Sequence, residues 1–412
     1  MNPTYDDFRW LLGNEGRAWL DGTSAPPGAT GSASARARSD VAFAAALRRE
    51  LSAEQTHLVL EQIELRRRGR AKFALADRMF FTRMGLEQAT DQIVATYKAR
   101  RLDDGGGVTL DLCCGIGGDL AALGVKGPAV GVDRNRIHAL LARENARVAG
   151  EGSDVAVVVG DVTELHLDEN VVWHLDPDRR ADGRRSTQVA LHSPGLDAIE
   201  RMRRQSPHAA IKLAPAADPP AAWQSEAELE WISRQHECRQ LVAWFGHLAD
   251  RPGLRRATVL RAKTLADEPE AYCVIGRPGR PREASEQIGR YVFEPDPAVL
   301  AADLTGVLAN QHALNALTVG GGYLTGDEPV ESPAMARFEV LESLPFDRRR
   351  VKRLLAERQI GRLEIKTRGV AIQPETLRCD LRVKGDTAGV LLLMRQGESV
   401  TALVARRVGY LP

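Results

Sequence analysis

The stretch Val108 to Leu123 constrains this chain more than any other. An apolar run meets an acid at Asp111, a glycine-rich turn follows through Cys113, Cys114, Gly115, Gly117 and Gly118, and an apolar helical pattern begins at Asp119. That order predicts the strand, loop and helix of a nucleotide-binding α/β unit. Glycines let the backbone approach a ligand closely, and Asp111 at the strand end can accept hydrogen bonds from a ligand amine or from loop N–H groups.

Three more acid-terminated strands follow. Ala129 to Asp133 ends in an acid about twenty residues after the first, the interval at which doubly wound folds place a ribose-binding carboxylate. Val155 to Val162 carries Asp161, and Val171 to Asp176 runs into Pro177, Asp178, Arg179 and Arg180. Four acids at four consecutive strand ends predict one ligand-binding edge of a parallel sheet.

Two other phosphate-binding signatures do not fit. A Gly-x-Gly-x-x-Gly register from Gly115 needs a third glycine where Leu120 stands, and no Gly-Lys-Ser/Thr follows the turn. An ordinary βα turn explains one glycine loop but not four acids in order.

As a set, Asp111, Cys114, Gly115, Gly117, Gly118, Asp133, Asp161 and Asp176-Pro177 resemble the class I S-adenosylmethionine-dependent methyltransferases. The wording of the first loop is similar to the trimethylguanosine synthase branch. The whole chain, with a helical front and a small α/β tail, resembles bacterial methyltransferases with a THUMP-like C-terminal domain. The resemblance implies a Rossmann-like α/β core and S-adenosylmethionine as cofactor. Asp111 and the loop from Cys113 to Gly118, with Cys114, Gly115 and Gly117, would hold the methionine portion; Asp133 would take the ribose hydroxyls; and Asp161 with Val162 would hold the adenine. Thr90 matches the turn that packs on the methionine end of the cofactor, and by itself also reads as a helix N-cap.

The same resemblance puts the reaction at Asp176, Pro177, Asp178 and Arg179. In methyltransferases acting on amino groups of bases, a loop of this kind accepts hydrogen bonds from the exocyclic amine, and a neighbouring side chain stacks on the base. Here Asp176 and the Pro177 carbonyl would accept, and the planar Arg179 guanidinium can stack. An Asp-Pro-x-Arg loop also resembles RNA uridine C5-methyltransferases, which need a cysteine nucleophile on the next strand. That strand, Ala209 to Pro215, has none, so a nitrogen acceptor is preferred to carbon.

The remaining sequence sets the context. At 412 residues and 43% hydrophobic content the chain is long enough for two or three domains. A formal net charge of +1 gives no global field for nucleic acid or membrane. Five cysteines without a C-x-x-C pair point to a reducing compartment. Without a long apolar run or a signal peptide, a cytoplasmic protein is expected, with no membrane partner. His236, Cys238 and His247 match no zinc template, so no metal is expected.

Residues 1–78 read as helical, with a loop over the Gly-, Ala-, Ser- and Pro-rich stretch Asp21 to Ser39. Residues 79–282 form the methyltransferase domain, closed by an antiparallel pair at Ala257 to Leu260 and Ala271 to Ile275. Residues 283–412 form the THUMP-like α/β domain, with a helix over Pro295 to Ala316 at its start. Cations gather at Arg66, Arg67, Arg68, Arg70 and Lys72, around the acceptor loop at Arg180, Arg184, Arg185, Arg201, Arg203 and Arg204, and at Arg348, Arg349, Arg350, Lys352, Arg353, Lys366 and Arg368. Each is a phosphate-contact candidate or a solvated face. RNA is the favoured acceptor and partner. A protein or small-molecule acceptor, and a cofactor-binding protein without turnover, stand as alternatives, and the oligomeric state is open.

Overall fold

The computed structural model describes residues 3–21, 33–103, 105–150, 152–178, 180–181, 184–185, 192–279, 281, 284–285, 287–318 and 320–409. Two compact units emerge, one of residues 1–212 with 245–248 and 262–269, the other of 213–244, 249–261 and 270–412.

The first unit opens with helices α1 (Tyr5–Leu12), α2 (Asn14–Leu20), α3 (Ala33–Glu50) and α4 (Ala53–Gly69). Thr4 and Ser52 cap α1 and α4 in reciprocal capping boxes with Asp7 and Gln55. Phe8, Leu11, Leu58, Val59 and Leu65 meet Phe80, Phe81 and Ile116 in one buried cluster, so this helical front packs directly on the glycine loop. Helix α3 already runs from Ala33, where the composition had suggested loop; alanine's high helix propensity outweighs the scattered serines. Residues 22–32 of that stretch lie outside the described residues.

Helices α5 (Arg83–Gln88) and α6 (Gln92–Leu102) lead into β1 (Thr109–Leu112), α7 (Gly118–Lys126), β2 (Ala129–Asp133), α8 (Arg136–Ala149), β3 (Val155–Val159) and β4 (Val172–Leu175). Short β5 (Arg180–Ala181) and β6 (Arg184–Arg185) pair with each other, and α9 (Leu196–Gln205) precedes β7 (Ala209–Leu213). The strands lie in the order β3, β2, β1, β4, β7, all parallel. The strand order therefore reverses between β1 and β4, and the crevice outside their carboxyl ends is where such sheets bind ligands.

The second unit begins with α10 (Trp223–Glu226), the hairpin of β8 (Glu228–Arg234) and β9 (Glu237–Trp244), then β10 (Arg255–Arg261) and β11 (Glu270–Gly276). Strand β10 is parallel to β8 and antiparallel to β11, the pairing expected for the last two apolar runs. The chain continues through β12 (Tyr291–Pro295), α11 (Pro297–Ala301), α12 (Thr305–Gln311), β13 (Asn315–Ala316), β14 (Leu324–Gly326), β15 (Met335–Pro345), α13 (Arg348–Glu357), β16 (Ile360–Arg368), α14 (Pro374–Leu381), β17 (Thr387–Gln396) and β18 (Ser399–Val408). Pro295 to Ala316 is thus two short helices rather than one. Asp296 and Pro297 start the first, and Asp303 at φ +57° breaks the chain before the second.

These last strands form a sheet ordered β13, β14, β12, β15, β18, β17, β16, with only β16 and β17 parallel. Alternation along β17 separates its two faces. Leu391 and Leu393 pack with Val351 and Leu355 of α13 and Leu377 and Leu381 of α14, while Val390, Leu392 and Met394 pack with Leu317 and Tyr323. Both faces are covered, which explains the unbroken apolar run Val390 to Met394.

Candidate active site

The parallel register builds the site. Asp111 on β1 lies beside Gly131 of β2 and His174 of β4, and Leu175 lies beside Ile211 of β7. His174 and Asp111 thereby meet through Nδ1 and Oδ1 at 2.8 Å, both buried. One step beyond β4, Asp176 Oδ2 accepts from Lys212 Nζ at 2.5 Å.

These contacts belong to a longer chain of side chains. Lys98 Nζ is 3.0 Å from His174 Nε2 and 2.7 Å from Asp119 Oδ1. Asp119 Oδ2 accepts from Thr90 Oγ1 at 2.7 Å, and Thr90 Oγ1 accepts from Lys212 Nζ at 3.0 Å. The order is Asp111, His174, Lys98, Asp119, Thr90, Lys212, Asp176. Three carboxyl groups and two amino groups share this pocket of low dielectric, where each needs its partner.

The electrostatics follow from burial. Desolvation raises the Asp111 pKa, an effect that His174 opposes. Desolvation likewise lowers Lys98, with Asp119 opposing. Burial alone would raise Asp119, but the Lys98 and Lys212 ammonium groups outweigh it and hold this carboxyl below its usual range. Burial pushes the Cys113 and Cys114 thiols up, and nearby Asp133 and Asp111 push them further, so neither is a ready nucleophile.

Glycines shape the loop. Gly117 takes φ +84° as it enters α7, and a Cβ there would lie 2.9 Å from Ala142 Cα. Gly115, at φ +55°, faces open space in which a Cβ would meet nothing within 4 Å. Asn145, fully buried on α8, ties the loop down: its amide donates to the Ile116 and Phe80 carbonyls and accepts from the Phe80 N–H.

The remaining expected residues are placed as follows. Asp133 ends β2, where Oδ2 accepts from Gly115 N and Oδ1 from Asn135 N, both at 2.8 Å. Asp161 caps the single turn Val162–Glu164 through Thr163, whose N–H and hydroxyl hold its pKa low, and Val162 is buried. Asp91, rather than Thr90, caps α6, which leaves the Thr90 hydroxyl to the buried chain. Pro177 is buried, and Asp178 exchanges two backbone hydrogen bonds with Ser193 at 2.9 Å. Arg179 lies outside the described residues.

Sequence reasoning missed Lys98, His174 and Lys212 as site residues and read Asp119 only as a helix start. The signal was present: Lys98 interrupts the buried stripe Val94, Lys98, Leu102 of α6, and Lys212 and His174 interrupt wholly buried strands.

Several candidate phosphate-binding cations have internal duties. Lys72 donates to the carbonyls of Leu86, Glu87 and Ala89 at the end of α5, and Arg66 donates to Met79 O and stacks on Phe80. Arg201 donates to Thr163 O, Arg203 pairs with Glu200 and stacks on Phe245, and Lys366 pairs with Glu294. Arg349, Arg350 and Lys352 on α13 are exposed and have no ion-pair partner among the described residues.

The residues present fit S-adenosylmethionine. Asp111 Oδ2 is buried and has no hydrogen-bond partner among the described residues, an acceptor awaiting a donor, and Gly115, four residues further along the same loop, borders open space. Among those residues no group of His, Cys, Asp and Glu is arranged to hold a metal ion, and no helix is long and apolar enough to cross a membrane.

The chain is similar to known proteins in sequence and in fold. Residues 106–199 match the family described as RNA cap guanine-N2 methyltransferase, and residues 335–407 match the family described as THUMP domain-like. Two uncharacterized S-adenosylmethionine-dependent methyltransferases of Mycobacterium tuberculosis, from strains CDC 1551 and H37Rv, are each 35% identical over 337 residues, covering 79% of this chain and 88% of theirs. In fold, the chain is similar to a crystal structure described as a "putative methyltransferase from Porphyromonas gingivalis W83", with a TM-score of 0.71, 22% identity, and coverage of 87% of this chain and 92% of that one.

Proposed function

We propose that this chain, which belongs to the S-adenosylmethionine-dependent methyltransferases, methylates a nitrogen of an RNA base. The cofactor brings a methyl group on a sulfonium, ready for in-line transfer to a nucleophile. What remains for the protein is to bind, orient and exclude water. Asp111 and the loop Cys113 to Gly117 would hold the amino-acid end, Asp133 the ribose hydroxyls, Asp161 and Val162 the adenine, with Thr90 behind the methionine end.

The observation that carries the acceptor reading is Asp176. Its carboxylate follows β4 on the same sheet edge as Asp111 and Asp133, is one-quarter exposed, and is held through Oδ2 by Lys212. Oδ1 is left to accept an N–H from an exocyclic amine, with the Pro177 carbonyl as a second acceptor. As the N–C bond formed and the methyl–sulfur bond broke to leave the neutral thioether, this carboxylate would take the displaced N–H proton. Protonated Cys113 and Cys114 argue against an attack on a pyrimidine carbon, which needs a thiolate. The match of residues 106–199 to a guanine-N2 family, and the exposed Arg349, Arg350 and Lys352, support RNA over a small neutral acceptor.

The test is transfer of labelled methyl from S-adenosylmethionine to an extract of cells lacking this protein. Label that RNase removes, recovered as an N-methylated nucleoside and absent with Asp176→Asn, is the expected result. Label removed only by protease, or no label from protein that binds the cofactor, overturns the RNA reading.

A further inference from the structure

We propose that Lys98 and His174 are positioning residues that orient Asp111 and leave its Oδ2 as the anionic acceptor for the cofactor's ammonium group. This inference rests on the reading that Asp111 binds that group, and it assigns work to two residues that lie fully buried behind it.

Donors and acceptors settle the tautomer. A lysine ammonium has only protons to give. Lys98 Nζ is ion-paired with Asp119 Oδ1 at 2.7 Å, and it donates to His174 Nε2 at 3.0 Å. His174 Nε2 must therefore accept, which places the imidazole proton on Nδ1. That N–H donates to Asp111 Oδ1 at 2.8 Å. One carboxylate oxygen is thus satisfied from behind, and the other is buried with no partner among the described residues.

Charge points the same way. With neutral His174, the chain holds three carboxylates, the buried Asp111 and Asp119 and the part-exposed Asp176, against two ammonium groups, Lys98 and Lys212. One negative charge is uncompensated: Asp119 Oδ1 has the Lys98 ammonium 2.7 Å away, whereas Asp111 Oδ2 has neither a hydrogen bond nor an ion-pair partner among the described residues. A cationic amine completes the set. Both amino groups are already engaged, Lys98 by Asp119 and Lys212 by Asp176, so neither can supply the missing charge without breaking its own pair. An ordinary buried histidine in a structural role would need none of this directionality.

Titration calorimetry with two ligands on the full-length protein tests the idea. S-adenosylhomocysteine carries the amino-acid end, whereas 5′-methylthioadenosine has the same nucleoside and thioether without it. In His174→Gln the amide reaches the Nε2 position and loses the contact with Asp111; in His174→Asn it takes the Nδ1 position and can still donate. The expected result for His174→Gln is at least tenfold weaker binding of S-adenosylhomocysteine with methylthioadenosine changed less than twofold, and substantial recovery in His174→Asn. Lys98→Met serves as the second variant and should show the same ligand selectivity. Equal losses for both ligands would mean a structural role and overturn the proposal, as would unchanged S-adenosylhomocysteine binding in both His174→Gln and Lys98→Met. Asp111→Asn separates the premise from the inference. If that variant binds S-adenosylhomocysteine normally, the reading of Asp111 itself fails; if it is weakened while His174→Gln and Lys98→Met are silent, only the orienting role fails.

Discussion

Lys212 Nζ bridges Thr90 Oγ1 at 3.0 Å and Asp176 Oδ2 at 2.5 Å, so the carboxylate that follows β4 is held by a lysine from β7. The pair holds Asp176 from the sheet side. Lys212→Met keeps the aliphatic stem and removes the charge. Methyl transfer should fall roughly 10²-fold, the usual cost of a misplaced reacting group, while S-adenosylhomocysteine affinity stays within about twofold. Single-turnover kinetics beside calorimetry would read both, and an unimpaired rate would remove Lys212 from the acceptor site.

Asp111→Ala takes away the buried acceptor and leaves His174 Nδ1 without its partner. Loss of one charge-assisted hydrogen bond should weaken S-adenosylhomocysteine binding by about 10- to 100-fold. Calorimetry on the purified variant measures it directly. Binding at the original strength would dissociate the glycine loop from the cofactor.

The thiols offer a pH test. Burial and neighbouring carboxylates raise the pKa of Cys113 and Cys114, so at pH 8 the folded protein holds less thiolate there than an unfolded chain, whose cysteines titrate near ~8.5. Alkylation by iodoacetamide at pH 8, read by peptide mass spectrometry, should label exposed Cys379 much faster than either loop cysteine. Denaturation should abolish the difference. Fast native labelling of Cys113 would reopen covalent chemistry at this site.

Gly117→Ala should destabilise the first unit by about 2–4 kcal/mol. The left-handed backbone at φ +84° costs an alanine roughly 1–2 kcal/mol, and a Cβ 2.9 Å from Ala142 Cα adds overpacking strain. Thermal unfolding with and without S-adenosylhomocysteine would measure the loss. A variant as stable as the parent would show that α7 and α8 can separate without cost.

If α13 docks RNA, replacing Arg349, Arg350 and Lys352 together by Glu should weaken RNA binding and flatten its salt dependence, since each phosphate contact contributes about −0.7 to the slope on single strands. Affinity for S-adenosylhomocysteine should not change. An unaltered salt slope in filter binding would return this helix to the solvated faces.

How much was legible in advance differs from element to element. The glycine loop and the acids Asp111, Asp133, Asp161 and Asp176 were readable because close backbone approach and strand-end carboxylates leave local marks. Strands β10, β11, β17 and β18 were readable from apolar runs bounded by polar turns. The start of α3 was obscured by Ser and Arg scattered among alanines, and the break at Asp303 by a left-handed residue that has no periodic signature.

By itself, the sequence determined the order of strand, loop and helix, and which carboxylates end the strands, because those depend on short-range pattern and turn chemistry. Only the tertiary structure decided that Lys98, His174, Asp119, Thr90 and Lys212 form one buried chain between Asp111 and Asp176. These residues come from α6, β4, α7, the turn before α6, and β7; strand register sets His174 beside Asp111, and the packing of α6 on α7 and β4 brings in the rest. A lone lysine in an apolar run announces that it needs a partner, and the partner is chosen by packing between elements far apart in the chain.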